Sequence, residues 1–294
     1  MGMNTRISID KITVVLGLSI SPYSFRFNDL SFDFKLRRHG SDFEVFKYKH
    51  IMSEKPFSYE HHFELWNARS PKMIVNLFRR DLSGKMMPYC EFTFNPNKHY
   101  DDFPKVLAAL GEFGFTKIRE ITRVDIAVDF PLSPYDIELL CTRPIQVYQG
   151  GVNQYTRYKR YADRTMLRVY NKAMEEGIKG DKTRCELVLK NWIANRQSNF
   201  ETIWRHFGDI YYRDIAMDGV EYALHLPRYI AYAIRNIPSC RLRDFIPMLS
   251  SKYKDEAQRY FESRYKGYVF TLDDYDYICK LLRLYLPMLK ESEV

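Results

Sequence analysis

The sequence predicts an α+β fold: a sheet whose back packs on helices, followed by a mostly helical C-terminal region. Two observations predict it. Four segments between residues 90 and 190 set an apolar side against a charged or polar side, at the two-residue period of a strand with two different faces. After Lys190 the apolar spacing becomes helical. Strands first and helices afterwards is the order of an α+β chain.

The organising strand is Ile121 to Phe130, with Val124, Ile126, Val128 and Phe130 on one side and Arg123, Asp125, Ala127 and Asp129 on the other. Asp is disfavoured in strands, so two on one face require a reason. A solvated edge strand with a salt-bridge ladder is one reason; a functional face is the other. Three strands of similar build favour the second. Leu167 and Val169 oppose Arg168 and Tyr170; Cys185, Leu187 and Leu189 oppose Arg184 and Glu186; Phe92 and Phe94 oppose Glu91, Thr93 and Asn95. Together they describe one sheet with a front of acids, arginines and tyrosine, and that front is the candidate active site.

Taken in order, the first hundred residues read as β-rich. Strands are expected at Ile7–Ile20, Leu30–Leu36, Phe43–Tyr48 and Met73–Phe78, separated by turn signals such as His39-Gly40 and Ser83-Gly84. His61 and His62 are adjacent, so on a strand they face opposite sides and cannot share a metal. Asp101-Asp102-Phe103-Pro104 predicts a helix start, with the helix running to about Leu110 and ending at Gly111 or Gly114. A short helix is expected over 133–142, after Ser133-Pro134. A turn or flexible loop follows across 148–164, where Gly150-Gly151 precedes Tyr155, Tyr158 and Tyr161 interleaved with Arg157, Lys159, Arg160 and Arg164. Aromatics among basic residues suit single-stranded DNA, whose bases stack while its phosphates meet cations. A solvated, charged hairpin is the plainer reading. Helices are then expected over Trp192–Phe207, Leu226–Ile237, Leu242–Lys266 and Leu272–Lys290, the last with Thr271 and Asp274 as a capping box and Ile278, Leu281, Leu282 and Tyr285 as its apolar stripe. The change at residue 191 divides the chain into 1–191, carrying the site, and 192–294, for DNA recognition or oligomerisation.

Composition narrows the partner. The 294 residues are 46% hydrophobic, enough for a full core, and the net charge of +8 favours an acidic partner. Tyr (23) and Phe (20) are abundant, which fits base stacking as well as ordinary strand filling. Cys90, Cys141, Cys185, Cys240 and Cys279 are odd in number, scattered and without a Cys-x-x-Cys pair. That argues against a disulfide framework or zinc ribbon and for a reducing cytoplasm. The apolar run Ile12–Ile20 is too short to cross a bilayer and lacks signal-peptide features, so no membrane partner is expected. No phosphate-binding glycine loop, dinucleotide fingerprint or Gly-x-Ser-x-Gly elbow is found, and ATPase and hydride-transfer readings therefore lack their core parts.

Three segments in order, Thr122-Arg-Val-Asp-Ile-Ala-Val-Asp129, Leu167-Arg-Val-Tyr-Asn-Lys172 followed by Glu175 or Glu176, and Arg184-Cys-Glu-Leu-Val-Leu189, resemble the rolling-circle replication initiation factors of plasmids and phages, a family that includes relaxases of conjugative elements. The match spans about residues 88–190. The resemblance implies a relaxase-like antiparallel sheet that nicks one strand of origin DNA. A tyrosine stays joined to the 5′ end and leaves a 3′ hydroxyl primer. Single-stranded and supercoiled origin DNA, a host helicase and a second copy of the chain are the expected partners. The family's Thr-x-Tyr-x-Gly-Ser-Arg-like run is matched at Thr156-Arg-Tyr158, but Arg160-Tyr161 stands where Gly-Ser is usual. The nucleophile therefore stays open among Tyr158, Tyr155 and Tyr161, with Tyr170 further behind.

The chemistry requires charge neutralisation at phosphorus and an activated phenol. Carboxylates suit Mg²⁺ or Mn²⁺, which polarise phosphoryl oxygens. Asp125 and Asp129, four apart on a strand, are about 13 Å apart and cannot hold one ion together. One of them with Glu186 is the expected metal set, Asp125 preferred and Glu91 in reserve. A free phenol titrates near 10, so a cation must assist it. Arg168, Lys172 and Arg184 are placed for that and for holding phosphate. Arg157, Lys159, Arg160 and Arg164 would line the DNA strand. Arg241, Arg243, Lys252, Lys254 and Arg259 offer a separate origin-reading surface, or simply a solvated face. Two rivals remain: a non-catalytic DNA-binding regulator, and a nuclease that uses water.

Overall fold

A computed structural model describes residues 5–18, 29–47, 59–67, 70–139, 146–147, 156–162, 165–190, 200–214, 225–236 and 245–285, the backbone alone over 146–147 and 156–162. The fold is α+β: a large antiparallel sheet with helices, and a helical C-terminal region. The strands are β1 Arg6–Leu18, β2 Glu44–Lys47, β3 Tyr59–Asn67, β4 Ser70–Arg80, β5 Met86–Phe94, β6 Phe115–Phe130, β7 Ile137–Leu139, β8 Gln146–Val147, β9 Thr156–Ala162, β10 Thr165–Asn171, β11 Thr183–Lys190, β12 Ile210–Arg213 and β13 Tyr265–Gly267. The helices are α1 Asp29–Arg38, α2 Phe103–Gly111, α3 Lys172–Glu176, α4 Phe200–Phe207, α5 Arg228–Asn236, α6 Ser251–Arg264 and α7 Leu272–Tyr285. Ten strands hydrogen-bond in the order β2-β3-β4-β5-β1-β6-β11-β10-β9-β8, and β13-β12-β7 form a small sheet.

The chain divides into two compact units. An amino-terminal unit holds 8–127, 188–198 and 276–294; a central unit holds 1–7, 128–187 and 199–275. These units cross the 191 boundary expected from composition. The reason lies in pairing: β12 hydrogen-bonds β7 on one side and β13 on the other, which joins 137–139 to later parts of the chain.

In the amino-terminal unit, alternation sorts β5 as expected. Phe92 and Phe94 are buried and stack on Phe103 of α2 at 5.8 and 4.4 Å between ring centroids. Val106, Ala109 and Leu110 complete the buried stripe of that helix. Pro104 sits in its first turn, but Asp102 makes no side-chain cap. Asn95 continues the chain into a turn closed by His99, whose Nδ1 accepts the Asn95 amide at 2.9 Å. His61 and His62 do face opposite sides: the His61 ring stacks on Phe63, while His62 Nδ1 meets Asn76 Oδ1.

Three expectations are corrected. Leu30–Leu36 is not a strand but lies in α1. Phe32 and Leu36, one turn apart, are buried, and Phe34 is 64% exposed, which period two does not allow. The helix expected over 133–142 is a single 3₁₀ turn, Pro134–Asp136, capped by Ser133 Oγ on the Tyr135 amide, before β7 begins at Ile137. The stretch expected to be a turn or loop over 148–164 contains β9, which pairs with β8 on one side and β10 on the other.

Among the described residues, two apolar groups are seen in the central unit. Phe130 packs on Tyr212 and Tyr268, and Phe207 on Phe270. Ile230, Ile234, Ile246, Ala257, Tyr260 and Phe261 form the second, where α5 meets α6. The predicted box at α7 is present: the Thr271 amide and hydroxyl donate to Asp274 Oδ2 at 2.9 and 2.8 Å, and the Asp274 amide returns to Thr271 Oγ1. Ile278 and Leu282 of its stripe are buried. Among the described residues no helix is long and apolar enough to cross a membrane.

Candidate functional site

β10 and β11 of the central unit bring Arg168, Tyr170 and Glu186 together. Arg168 Nη2 donates to both carboxylate oxygens of Glu186 at 2.7 Å, and the Tyr170 hydroxyl donates to Oε2 at 3.0 Å. The Arg168 guanidinium also lies 5.1 Å from the Tyr170 ring centre. Glu186 is fully buried, while a third of the Arg168 side chain meets solvent. Burial, and then the charge of Glu186, push the Tyr170 phenol far above its ordinary value. The Tyr170 hydroxyl is thus buried and committed to Glu186.

A second set surrounds Asp129 at the end of β6. Arg184 forks onto it, Nε to Oδ1 at 2.6 Å and Nη2 to Oδ2 at 2.8 Å. Lys182 Nζ lies 3.8 Å from Oδ2 and 2.9 Å from Glu176. Lys172 pairs with Glu175 and lies 3.7 Å from Glu176. This geometry is fixed locally. Asn171 Oδ1 caps α3 on the Met174 amide, Gly177 ends the helix in the left-handed region, and the Lys172 amide donates to the Lys182 carbonyl at 2.7 Å. Burial opposes the ionised form of Glu176, but the Lys182 hydrogen bond and nearby cations outweigh it and lower its pKa.

Exposure does not divide by sign: Arg168 and Lys182 reach water, but Arg184 and Lys172 are as buried as Asp129, while Glu175 and Glu176 are partly exposed and Glu186 is buried. The result is an interlocked set of charge-assisted ion pairs. Sequence reading found Asp129, Arg168, Lys172, Arg184 and Glu186, named Glu176 only as an alternative to Glu175 without a role, and missed Lys182, whose place follows from the turn that folds α3 back toward β11. Arg184, expected on DNA, is 8% exposed and committed to Asp129.

Asp125 belongs to the amino-terminal unit. It is fully buried, and Arg123, two residues earlier on the same strand, forks onto it at 2.7 and 2.7 Å. The reserve ligand Glu91 accepts from the Tyr59 hydroxyl at 3.2 Å and Asn76 Nδ2 at 3.3 Å. Nearby Tyr89 is pushed up to about 12 by burial and then by Glu91, with Arg79 acting in the other sense.

Asp125, Asp129 and Glu186 are thus each engaged through both oxygens by a guanidinium. As they stand they fit arginine rather than Mg²⁺ or Mn²⁺, and a cation there requires an arginine to swing away. Among the described residues no group of three His, Cys, Asp or Glu side chains is gathered to hold a metal ion.

Tyr155 and Arg164 lie outside the described residues, as do the side chains of Arg157, Tyr158, Lys159, Arg160 and Tyr161. The backbone register is described. Lys159 lies opposite Arg168 and Tyr161 opposite Met166, whereas Tyr158 lies opposite the buried Val169 and Arg160 opposite the buried Leu167.

No known sequence family and no curated protein matches the chain. Among solved structures it is similar to one described as a rolling circle replication initiator protein from Geobacillus stearothermophilus, with a TM-score of 0.37 and 13% identity over 80% of this chain and 97% of that one. A likeness at that level carries no argument about fold or activity.

Proposed function

We propose that the chain is a DNA nicking-joining initiator of rolling-circle replication, in which a tyrosine of the 155–161 stretch attacks a phosphodiester of origin DNA. The single observation that carries this is the pairing of β9 with β10. It lays the tyrosine- and arginine-rich segment beside the strand bearing Arg168 and Tyr170. Tyr161 and Lys159 take the register positions of β10 that alternate with its buried residues, so Tyr161 is the preferred nucleophile over Tyr158.

In the step proposed, the phenolic oxygen bonds to phosphorus and the bond to the 3′ oxygen breaks. The tyrosine's proton passes to solvent or a nearby base, and the departing 3′ oxygen takes up a proton. Arg168, Lys172 and Lys182 offset the phosphate's charge, and Glu186 and Asp129 hold Arg168 and Arg184 in place. The phosphotyrosyl bond conserves the energy for rejoining, which requires no ATP. A divalent ion would add polarisation of the phosphoryl oxygens. The metal requirement, the helicase and a homodimer belong to the proposal, and a conjugative relaxase would share the chemistry.

A second reading, a DNA-binding regulator that does not cut, is favoured by the engagement of all three candidate carboxylates with arginine. Both are tested by incubating the chain with single-stranded and supercoiled DNA from the element that encodes it, with Mg²⁺, Mn²⁺ or a chelator. A denaturing gel then separates protein-DNA adducts. An adduct lost in Tyr161→Phe establishes the mechanism and the residue; one lost instead in Tyr158→Phe or Tyr155→Phe moves the nucleophile. Cleavage without adduct points to attack by water, and binding without cleavage leaves the regulator.

A further inference from the structure

Helix α5, Arg228–Asn236, is divided lengthwise. Ile230 and Ile234 are buried in the core with Ile246, Ala257, Tyr260 and Phe261. On the other side Tyr229 and Tyr232 are 72% and 71% exposed, and Arg228 and Arg235 are exposed as well. At 3.6 residues per turn these four positions share about one third of the helix circumference. The helix contains no acidic residue. Its first turn begins with Arg228, although the positive end of a helix dipole favours an acid there. Two exposed phenols and two exposed arginines share this face. They suit an anionic partner with flat or apolar elements between its charges.

We infer that the exposed face of α5 is a docking surface for double-stranded DNA, separate from the candidate nicking site. Arg228 and Arg235 are seven residues apart, about 10.5 Å along the axis. That span is close to the width of the B-DNA major groove, about 12 Å, whose rims are phosphates. Tyr229 and Tyr232 stand between them, three apart on adjacent turns, where phenol edges meet base edges and thymine methyls. The deep, narrow major groove of A-form RNA does not admit a helix, so the geometry selects DNA. The positive helix start adds attraction for phosphate, and the chain's net charge of +8 has the matching sign. Only the class of the partner rests on the proposed function; the surface itself does not.

The test measures fluorescence anisotropy of the full chain with a random-sequence duplex of about 30 base pairs across a salt series. Arg228→Gln/Arg235→Gln and Tyr229→Ser/Tyr232→Ser are compared with the parent. Each pair should bind duplex at least about tenfold more weakly. The arginine pair should also flatten the log-log salt slope by about 1.8. Arg228→Lys/Arg235→Lys should keep the slope, which guards against a folding defect in the first pair. Adduct formation on single-stranded DNA should be unchanged in all of them. Duplex affinity equal to the parent in both pairs overturns the inference, as does α5-dependent binding to anionic vesicles or duplex RNA of equal strength. Duplex binding through α5 with no adduct anywhere overturns the nicking proposal and leaves this one. Adducts together with parent-like duplex affinity in both pairs do the reverse.

Discussion

Replacing Glu186 by Gln is the most informative perturbation of the central unit. The parent carboxylate is fully buried, accepts from Arg168 through both oxygens and accepts the Tyr170 hydroxyl at 3.0 Å. Removing one partner of a buried ion pair costs about 3–5 kcal/mol. Arg168 keeps 33% of its side chain in water, so solvent recovers part of the loss. The amide oxygen still accepts from Tyr170. About 2–3 kcal/mol should remain, read as a fall in Tm of about 4–12 °C. Equilibrium urea unfolding measures it directly, with an unchanged slope showing that the unfolded state is the same. The triple replacement Arg168→Met/Tyr170→Phe/Glu186→Leu removes every polar group together. It should return to within about 1 kcal/mol of the parent, because an apolar set of similar volume needs no desolvated charge. A Glu186→Gln variant within about 0.5 kcal/mol of the parent would refute the buried clamp. So would a triple variant no more stable than the single one.

Three further outcomes follow from other sites. Glu112, reached by Lys35, Arg38 and His39, has its carboxyl lowered to about 2, chiefly by the Lys35 hydrogen bond. A folded pKa below the unfolded one stabilises above the unfolded value, near 4.5, and that stabilisation fades as pH falls toward 2. The Tm gap between the parent and Glu112→Gln should therefore close across this window; a constant gap contradicts it. Gly177 sits at φ +65° with open space around its Cβ position, so Gly177→Ala should cost about 1 kcal/mol from backbone strain alone. Gly111→Ala, whose Cβ would meet only Thr116 Cγ2 at 3.9 Å, should be neutral or better in the same unfolding assay. Tyr170→Phe should still form an adduct with DNA, since its phenol is held protonated; loss of adduct with the fold intact would make Tyr170 the nucleophile.

The strands were legible where one face is wholly apolar. The segment Arg184 to Leu189 lies within β11, because Cys185, Leu187 and Leu189 alternate without interruption. The α7 start was legible because Thr271 and Asp274 satisfy each other locally. Leu30–Leu36 misled because an alternating run also places Phe32 and Leu36 one helical turn apart; only tertiary packing decides between those patterns. β12 and β13 were missed because such short strands exist only through their partners. At the site, residue types were readable but their depth was not. A carboxylate on a charged face reads as exposed, yet Asp125 and Glu186 are fully buried, each covered by the arginine that neutralises it. Salt-bridge pairs, the plainer reading of the first strand, are what the interior contains.

The most direct test of the nicking account is mass spectrometry of the chain after reaction with origin single strand and Mn²⁺, followed by nuclease trimming and peptide mapping. The account predicts a nucleotide attached through phosphate to a tyrosine between Tyr155 and Tyr161, with a new 3′ hydroxyl on the released DNA. Cut DNA with unmodified protein, or an attachment outside that stretch, would contradict it.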